Sequence, residues 1–146
     1  MNEHKITDLQ QFLELWNDFD PDTGERRWDR MLEYYHDDIF FKDAVQAIHG
    51  KKAFSAMAER LARRSRNLQL VVHNSIMQGD LIFVEWEMII AYKRFPKSSV
   101  FGNSRLTLKD GKIIEQRDYY DLWGDIFDNI FFLARAYRWF MRKGFG

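Results

Sequence analysis

Four long β-strand patterns fill most of the second half of the chain, and this feature constrains the fold more than any other. The patterns cover residues 68–77, 81–95, 101–108 and 112–120, and they are rich in β-branched and aromatic residues. Turn-forming residues lie at two of the junctions, Gln78-Gly79-Asp80 and Lys109-Asp110-Gly111. Strands joined by such short turns pair with their neighbours along the chain, so the sequence predicts an antiparallel meander.

Helical patterns precede these strands. Apolar residues recur at helical spacing in a first segment that ends near Phe19, in a second over residues 28–35 and in a third over residues 53–61. No regular alternation of strands and helices, which is typical of a parallel sheet, interrupts this order. Helices followed by an antiparallel meander predict the α+β class.

The chain ends in a further helical pattern, residues 125–143, which is both aromatic and basic. Arg135, Arg138 and Arg142 lie away from its apolar stripe. A basic aromatic helix can lie on a membrane surface, or it can cover a sheet or a partner subunit. We expect the covering role, because a domain of this class needs apolar lids. The stripe consists of Ile126, Ile130, Leu133, Ala134, Tyr137 and Met141.

Composition narrows the partners and cofactors that the chain is expected to use. Its 146 residues fit one domain over residues 1–146. The 22 basic residues balance 22 acidic ones, so net charge predicts no nucleic-acid partner. No apolar run is long enough for a membrane span or a signal segment, and a cytoplasmic location is the simplest expectation. Because the chain has no cysteine and no metal-binding or nucleotide-binding motif, we expect no metal and no cofactor.

Carboxylates occur beside apolar residues on the predicted strands. Alternation along the second strand pattern places Glu85 and Glu87 on one sheet face. If they share a cavity with Asp118 of the last strand, their mutual repulsion raises at least one pKa toward the range useful for proton transfer. The alternative is an ion-pair network with Arg105 or Arg117 on a solvated face.

The opposite face of the second strand pattern is wholly apolar or aromatic. It carries Ile82, Val84, Trp86 and Met88. Such a face would expose a large apolar patch if nothing covered it. We therefore expect a homodimer through this sheet face, unless the C-terminal helix covers it instead.

Three segments resemble one superfamily of known fold. Residues 35–43 resemble the segment that leads into the general base of ketosteroid isomerases, and Asp43 falls on that base. Residues 49–53 are similar to the helix-opening motif of the wider nuclear-transport-factor-2-like superfamily. Residues 110–121 resemble the final strand of SnoaL-like cyclases and limonene epoxide hydrolases, whose acid/base aspartate corresponds to Asp118. In the order of its elements, the resemblance spans nearly the whole chain.

The resemblance implies a fold and a site. The fold is a curved antiparallel sheet, a cone-shaped half barrel, with the N-terminal helices packed on its concave side and an extra C-terminal helix. The site is a pocket for a small lipophilic molecule, with Asp43 as base and Asp118 as partner acid. His73 is a secondary candidate, as a proton shuttle or as a hydrogen-bonded packing residue. The expected pocket-lining residues are Trp16, Phe41, His73, Phe83, Glu85, Glu87, Ser104 and Tyr120.

The chain departs from two activities of these relatives. The isomerases stabilise an oxyanion with a tyrosine of the first helix and a protonated aspartic acid. The nearest positions here are Leu15 or Trp16 and Asn103 or Ser104. The epoxide hydrolases place an arginine between two aspartates, where this chain reads Glu85-Trp86-Glu87. Two hypotheses remain: a cofactor-independent isomerase, cyclase or hydratase of small lipophilic carbonyl compounds, and a non-catalytic ligand-binding or dimerisation module.

Overall fold

The computed structural model describes residues 4–92, 97–127 and 130–146. In these ranges a six-stranded sheet, curved and unclosed, packs with five helices, and this confirms the predicted α+β class. The helices are α1 (Leu9–Trp16), α2 (Trp28–Leu32), α3 (Lys51–Arg64), α4 (Leu122–Asp125) and α5 (Phe131–Phe145). The strands are β1 (Tyr35–Lys42), β2 (Ala47–His49), β3 (Ser65–Gln78), β4 (Leu81–Tyr92), β5 (Ser98–Lys109) and β6 (Lys112–Tyr120).

The sheet has the strand order β2-β1-β6-β5-β4-β3. The predicted meander is present, since β3, β4, β5 and β6 pair antiparallel with their neighbours in the chain. The β5–β6 turn has the expected left-handed residues, Asp110 at φ 54° and Gly111 at φ 80°. One pair is parallel: β1 lies beside β6, because the chain crosses through α3 to the far edge of the sheet before the meander begins. The sheet is therefore mixed rather than wholly antiparallel.

The inner face of the sheet, which packs against α1, α2 and α3, holds the hydrophobic core. The even positions of β4 point inward, and Ile82, Val84 and Trp86 are buried with Phe12 of α1 and Phe54 of α3 in one cluster. The chain's own helices thus cover this apolar face. The expectation that it forms a dimer interface is wrong, because the chain's own helices pack against this face.

Several element boundaries differ from the sequence-based ones. The first helix ends at Trp16 rather than near Phe19, because Phe19 pairs with Arg26 in an isolated antiparallel bridge. The second helix ends at Leu32. Tyr35, which the sequence pattern predicts in this helix, is instead the first residue of β1, and its side chain is buried. The predicted end of the second long strand, residues 93–95, lies outside the described residues.

The predicted C-terminal helix is divided into α4 and α5. Ile130 is the N-cap of α5, and residues 128–129 lie outside the described part. α5 buries Ala134, but Phe132 remains 82% exposed. Within the protomer, α5 therefore leaves most of its aromatic surface uncovered, unlike the lid that the sequence predicted. No helix in the described ranges is long and apolar enough to cross a membrane.

Candidate functional site

A cavity of about 310 Å³ lies between the inner face of the sheet and the helices. Its wall is mostly apolar, because the strands present aromatic and aliphatic side chains inward and the helices add their own. Polar side chains interrupt this wall, and they include those of Arg26, Asp43, Gln46, Arg60, Ser104, Gln116 and Asp118. The larger apolar lining residues include Trp16, Trp28, Phe41, Phe54, Trp86 and Val100. The polar lining residues treated below are Arg26, Asp43, Ser104, Gln116 and Asp118.

The structure divides the sequence-predicted site residues into two groups. One group borders the cavity, as expected: Trp16, Phe41, Asp43, Ser104, Asp118 and Tyr120. The other group, expected in the pocket, lies instead on the outer face of the sheet: His73, Phe83, Glu85 and Glu87. Strand alternation explains the division, because the odd positions of β4 point away from the helices when Trp86 points toward them.

The outer-face residues interact with one another rather than with the cavity. His73 Nε2 lies 3.3 Å from Glu87 Oε2, and Asn74 Nδ2 donates to Glu85 Oε2 at 2.5 Å. Phe83 is 37% exposed. Both glutamates thus lie on the outer face, with His73 and Asn74 as partners rather than Arg105 or Arg117.

Asp118 of β6 is the central acid of the cavity. The Ser104 hydroxyl donates to Asp118 Oδ1 at 2.7 Å, and Gln116 Nε2 donates to the same oxygen at 3.0 Å. Register places these donors there, since Ser104 is the direct cross-strand partner of Asp118 and Gln116 precedes it by two residues on the same face. Among the described residues, no hydrogen bond reaches Asp118 Oδ2. The second oxygen is therefore free to meet a ligand in the cavity.

Two outer donors fix the direction of these hydrogen bonds. The Trp86 indole N–H donates to Ser104 Oγ at 2.8 Å, so the single hydroxyl hydrogen of Ser104 is left for Asp118. The Tyr35 hydroxyl donates to Gln116 Oε1 at 2.6 Å, which turns the amide NH₂ of Gln116 toward Asp118. Burial raises the pKa of Tyr35, which keeps its hydroxyl a neutral donor. The network is satisfied throughout and points toward one carboxylate oxygen.

Gly102 makes room for this arrangement. It lies opposite Trp86 across the β4–β5 ladder and opposite Tyr120 across the β5–β6 ladder. A Cβ atom at this position would collide with the indole ring. The missing side chain lets Trp86 lie across β5, with its ring centroid 6.2 Å from that of Tyr120 and its N–H at Ser104.

The environment makes Asp118 a weak acid compared with an ordinary aspartic acid. Burial raises its pKa to about 6, and the charge of Asp43 adds to the rise. The hydrogen bonds from Ser104 and Gln116 oppose the rise, as does the positive charge of Arg26. Asp118 therefore exchanges a proton near neutral pH, as a general acid or base must.

Asp43 borders the same cavity but is held differently. Its Oδ1 accepts hydrogen bonds from the backbone N–H groups of Val45 and Gln46, both at 2.8 Å. Its Oδ2 accepts one from the Tyr120 hydroxyl at 3.1 Å. The first two contacts form a turn that closes the β1–β2 hairpin. Both oxygens of Asp43 are thus engaged in holding structure, whereas one oxygen of Asp118 is free.

Sequence reasoning missed four residues of the site. Trp86 and Gln116 have even numbers like Asp118, and all three side chains lie on the inner face of the sheet. Strand alternation could therefore have identified Trp86 and Gln116 from the sequence. Tyr35 was placed in a helix, which hid its position on β1. Arg26 lies in the bridge between α1 and α2, where no periodic pattern indicates which way a side chain points.

The donor set of the site does not resemble a metal centre. Within the part of the chain that the structure describes, no three His, Asp or Glu side chains are grouped as metal ligands. In Asp118, one carboxyl oxygen accepts two hydrogen bonds and the other accepts none from the described residues. Such an arrangement is suited to moving a proton.

Comparison with known proteins identifies the family. The family model of the SnoaL-like domain matches residues 9–116, which include α1 and all of the meander except the last four residues of β6. No curated protein matches the sequence.

Solved structures share the fold. A protein from Jannaschia sp. CCS1 assigned as a SnoaL-like polyketide cyclase is 25% identical, with 83% of this chain and 89% of that chain covered and a TM-score of 0.66. An epoxide hydrolase of the LEH-like type from M. tuberculosis is 16% identical, with 86% and 91% covered and a TM-score of 0.66. A Catenulispora acidiphila protein with a ketosteroid isomerase-like fold, in complex with trimethylamine, is 17% identical, with 77% and 84% covered and a TM-score of 0.63. At 16–17% identity, the last two show likeness of fold alone.

The pKa of Asp118 predicts how stability depends on pH. Folding raises this pKa from 3.8 to about 6, so the folded state binds the proton more tightly than the unfolded state. The resulting stabilisation is present at pH 4 and is lost as the pH rises through about 6. Relative to the wild type, Asp118→Asn should therefore gain about 2–3 kcal/mol of unfolding free energy between pH 4 and pH 7. Urea unfolding at several pH values measures the difference.

Asp110→Asn is the matched control, because it removes the same charge from an exposed turn whose left-handed backbone suits asparagine. The difference in unfolding free energy between this variant and the wild type should change little over the same pH range. If the difference in unfolding free energy between Asp118→Asn and the wild type were the same at all these pH values, Asp118 would titrate as an ordinary surface acid.

Proposed function

The chain belongs to the SnoaL-like domain family, and on that premise we propose that its cavity binds a small lipophilic carbonyl compound and moves a proton on it without a cofactor. The observation that carries this proposal is Asp118. Its carboxyl group borders a mostly apolar cavity and has a pKa near 6, and its Oδ2 accepts no hydrogen bond from the described residues. A carboxylate in such an environment can take a proton from a carbon next to a carbonyl group.

The proposed role of Asp118 differs from the sequence-based hypothesis. That hypothesis made Asp43 the base and Asp118 the partner acid. Asp43 uses both oxygens as acceptors within the protein, while Asp118 Oδ2 accepts none from the described residues. We therefore assign proton transfer to Asp118. Asp43 contributes its negative charge, which helps to raise the pKa of Asp118.

The shape and lining of the cavity favour a flat apolar substrate. A volume of about 310 Å³ between aromatic side chains suits a molecule of two or three fused rings. The Jannaschia protein, assigned as a polyketide cyclase, shares 25% identity with this chain. Ring closure and isomerisation of such compounds both begin with loss of a proton beside a carbonyl group, so one acid-base group serves either reaction.

A second proposal concerns the outer face of the sheet, opposite the cavity. Apolar side chains remain exposed there on β3, β5 and β6: Val71 at 44%, Ile76 at 62%, Phe101 at 53% and Tyr119 at 48%. An apolar patch on a sheet face is typical of an interface between copies of a chain. We propose a homodimer through this outer face, whether or not the cavity is catalytic.

The proton-transfer proposal predicts exchange of hydrogen on a simple probe. In D₂O the protein should accelerate exchange of the α-hydrogens of 2-tetralone, a bicyclic ketone, as followed by proton NMR. The rate should rise with pH through about 6 and then level off, because the ionised form of Asp118 is the base. Asp118→Asn should lower the rate by about 10² or more.

Asp110→Asn should exchange at the wild-type rate. Bound 2-tetralone that quenches tryptophan fluorescence but exchanges no faster than in buffer would instead identify a non-catalytic binding module. Full activity of Asp118→Asn would remove Asp118 from the reaction.

The interface proposal predicts the oligomeric state. The wild type should sediment as a dimer at micromolar concentration, and Phe101→Asp should sediment as a monomer, because it places a charge in the centre of the buried patch. Phe132→Asp, on the 82%-exposed Phe132 of α5, is the control and should remain dimeric. A dimer that Phe132→Asp dissociates and Phe101→Asp does not would place the interface on α5.

A further inference from the structure

Arg26 brings a positive charge to the wall of the cavity. It borders the same space as Asp118. In the described ranges, no carboxylate lies within ion-pair distance of its guanidinium group. Burial lowers the pKa of Arg26 to about 10, so the group remains charged at neutral pH while lacking the partner that a buried cation needs.

A shortage of acidic residues in the surrounding loop does not explain why Arg26 has no carboxylate partner among the described residues. The next arginine, Arg27, lies 3.5 Å from Asp20 and 3.9 Å from Asp18. Arg30 lies 3.4 Å from Asp18. The loop therefore supplies carboxylates to its outward-pointing arginines, and Arg26 points inward away from them.

Aromatic rings hold Arg26 in one position. Its Cζ lies 4.9 Å from the ring centroid of Trp16, 5.4 Å from that of Phe19 and 5.3 Å from that of Trp28. Nη2 donates to the backbone carbonyl of Trp16. Stacking of this kind compensates part of the cost of burial and restricts the side chain. The charge is thus fixed in place before any ligand arrives.

The wall around Arg26 has more hydrogen-bond donors than acceptors. Arg26 Nε and Trp16 Nε1 are buried and have no hydrogen-bond partner in the part of the chain that the structure describes. Nη1 of Arg26 makes no hydrogen bond to any described residue. Buried donors without acceptors are rare, and each calls for an explanation. A ligand that carries an electron-rich oxygen would supply the missing acceptor.

Arg26 and Asp118 influence each other across the cavity. Both side chains border the cavity, so a ligand there can meet both, and the charge of each favours the ionised form of the other. The base and the cation come from different parts of the fold: Asp118 from β6, and Arg26 from the bridge between α1 and α2.

We propose that Arg26 binds the carbonyl oxygen of the substrate and stabilises it as an oxyanion, which identifies the substrate as an enolisable ketone. This inference rests on the proposed function, since it gives the proton-transfer site its electrophilic group. The tyrosine and aspartic acid that serve ketosteroid isomerases have no counterpart at Leu15 or Trp16 and at Asn103 or Ser104. Arg26 supplies the missing charge from a different element.

The proposed step balances in atoms and charge. A C–H bond beside the carbonyl group breaks, and its proton forms an O–H bond on Asp118 Oδ2. The C–H electron pair becomes the new C=C bond, and the carbonyl π pair moves onto oxygen. That oxygen carries the negative charge that the Arg26 guanidinium neutralises. Return of the proton from Asp118 to a carbon atom of the substrate completes an isomerisation.

A phenolate that resembles the enolate tests Arg26 without any turnover. The probe is 2-naphthol, whose absorption spectrum distinguishes phenol from phenolate. It is titrated in the Asp118→Asn variant, where no carboxylate at position 118 competes with the phenolate. The pKa of bound 2-naphthol should lie below its value in water by about one unit or more, which corresponds to at least tenfold tighter binding of the anion. In Asp118→Asn/Arg26→Met, this preference should disappear.

Arg30→Met in the Asp118→Asn background is the matched control, because it removes the same charge from a side chain that is 60% exposed. It should keep the full preference for the phenolate. If Arg26→Met does not fold, Arg26→Lys serves in its place and should keep only part of the preference, since the charge remains without the forked donors. Melting temperatures identify a folding defect.

Two results would overturn the assignment of Arg26. One is a pKa of 2-naphthol bound to Asp118→Asn that equals or exceeds its pKa in water. The other is no binding of 2-naphthol to this variant at millimolar concentration. A wild type that exchanges no hydrogen on 2-tetralone, together with a variant that prefers phenolate, would end the proposed function but retain Arg26 as an anion-binding group.

Discussion

Burial of one carboxylic acid in an apolar cavity is the constraint on which the rest of the structure depends. An ionised group away from water is costly unless hydrogen bonds compensate it. Ser104 and Gln116 supply these bonds to Asp118, and Trp86 and Tyr35 orient the two donors. Because one oxygen receives both hydrogen bonds, the other keeps its capacity for a ligand. Burial raises the pKa to about 6 although these two hydrogen bonds oppose the rise.

Sequence patterns predicted the scaffold better than the site. The meander, the turn at Asp110 and Gly111, and the family resemblance rest on local periodicity, and the structure confirms the fold that they indicate. Pattern alone could not decide which face of β4 points inward, because alternation fixes only that odd and even positions differ. The choice of face placed Glu85 and Glu87 in the pocket, whereas the helices pack on the side of Trp86.

Arg26 shows why some functional residues escape sequence reasoning. Its orientation depends on contacts with Trp16 and Trp28, which come from α1 and α2 and meet only in the folded chain. Asp118 was found from sequence through a resemblance and Arg26 was not, although both border the same cavity. The folded chain joins a weak acid with a free oxygen and a fixed cation without an ion-pair partner among the described residues. This combination is suited to enolate chemistry.

The raised pKa of Asp118 is tested most directly by titrating its side-chain carboxyl carbon with ¹³C NMR. The Asp118→Asn variant assigns the signal. The account predicts a midpoint near pH 6, because burial outweighs the hydrogen bonds to Oδ1. It also predicts that Ser104→Ala moves the midpoint upward, since loss of a hydrogen bond to the charged form favours the protonated form. A midpoint at or below 4 in the folded wild type would show that water reaches the carboxylate freely and would contradict the account.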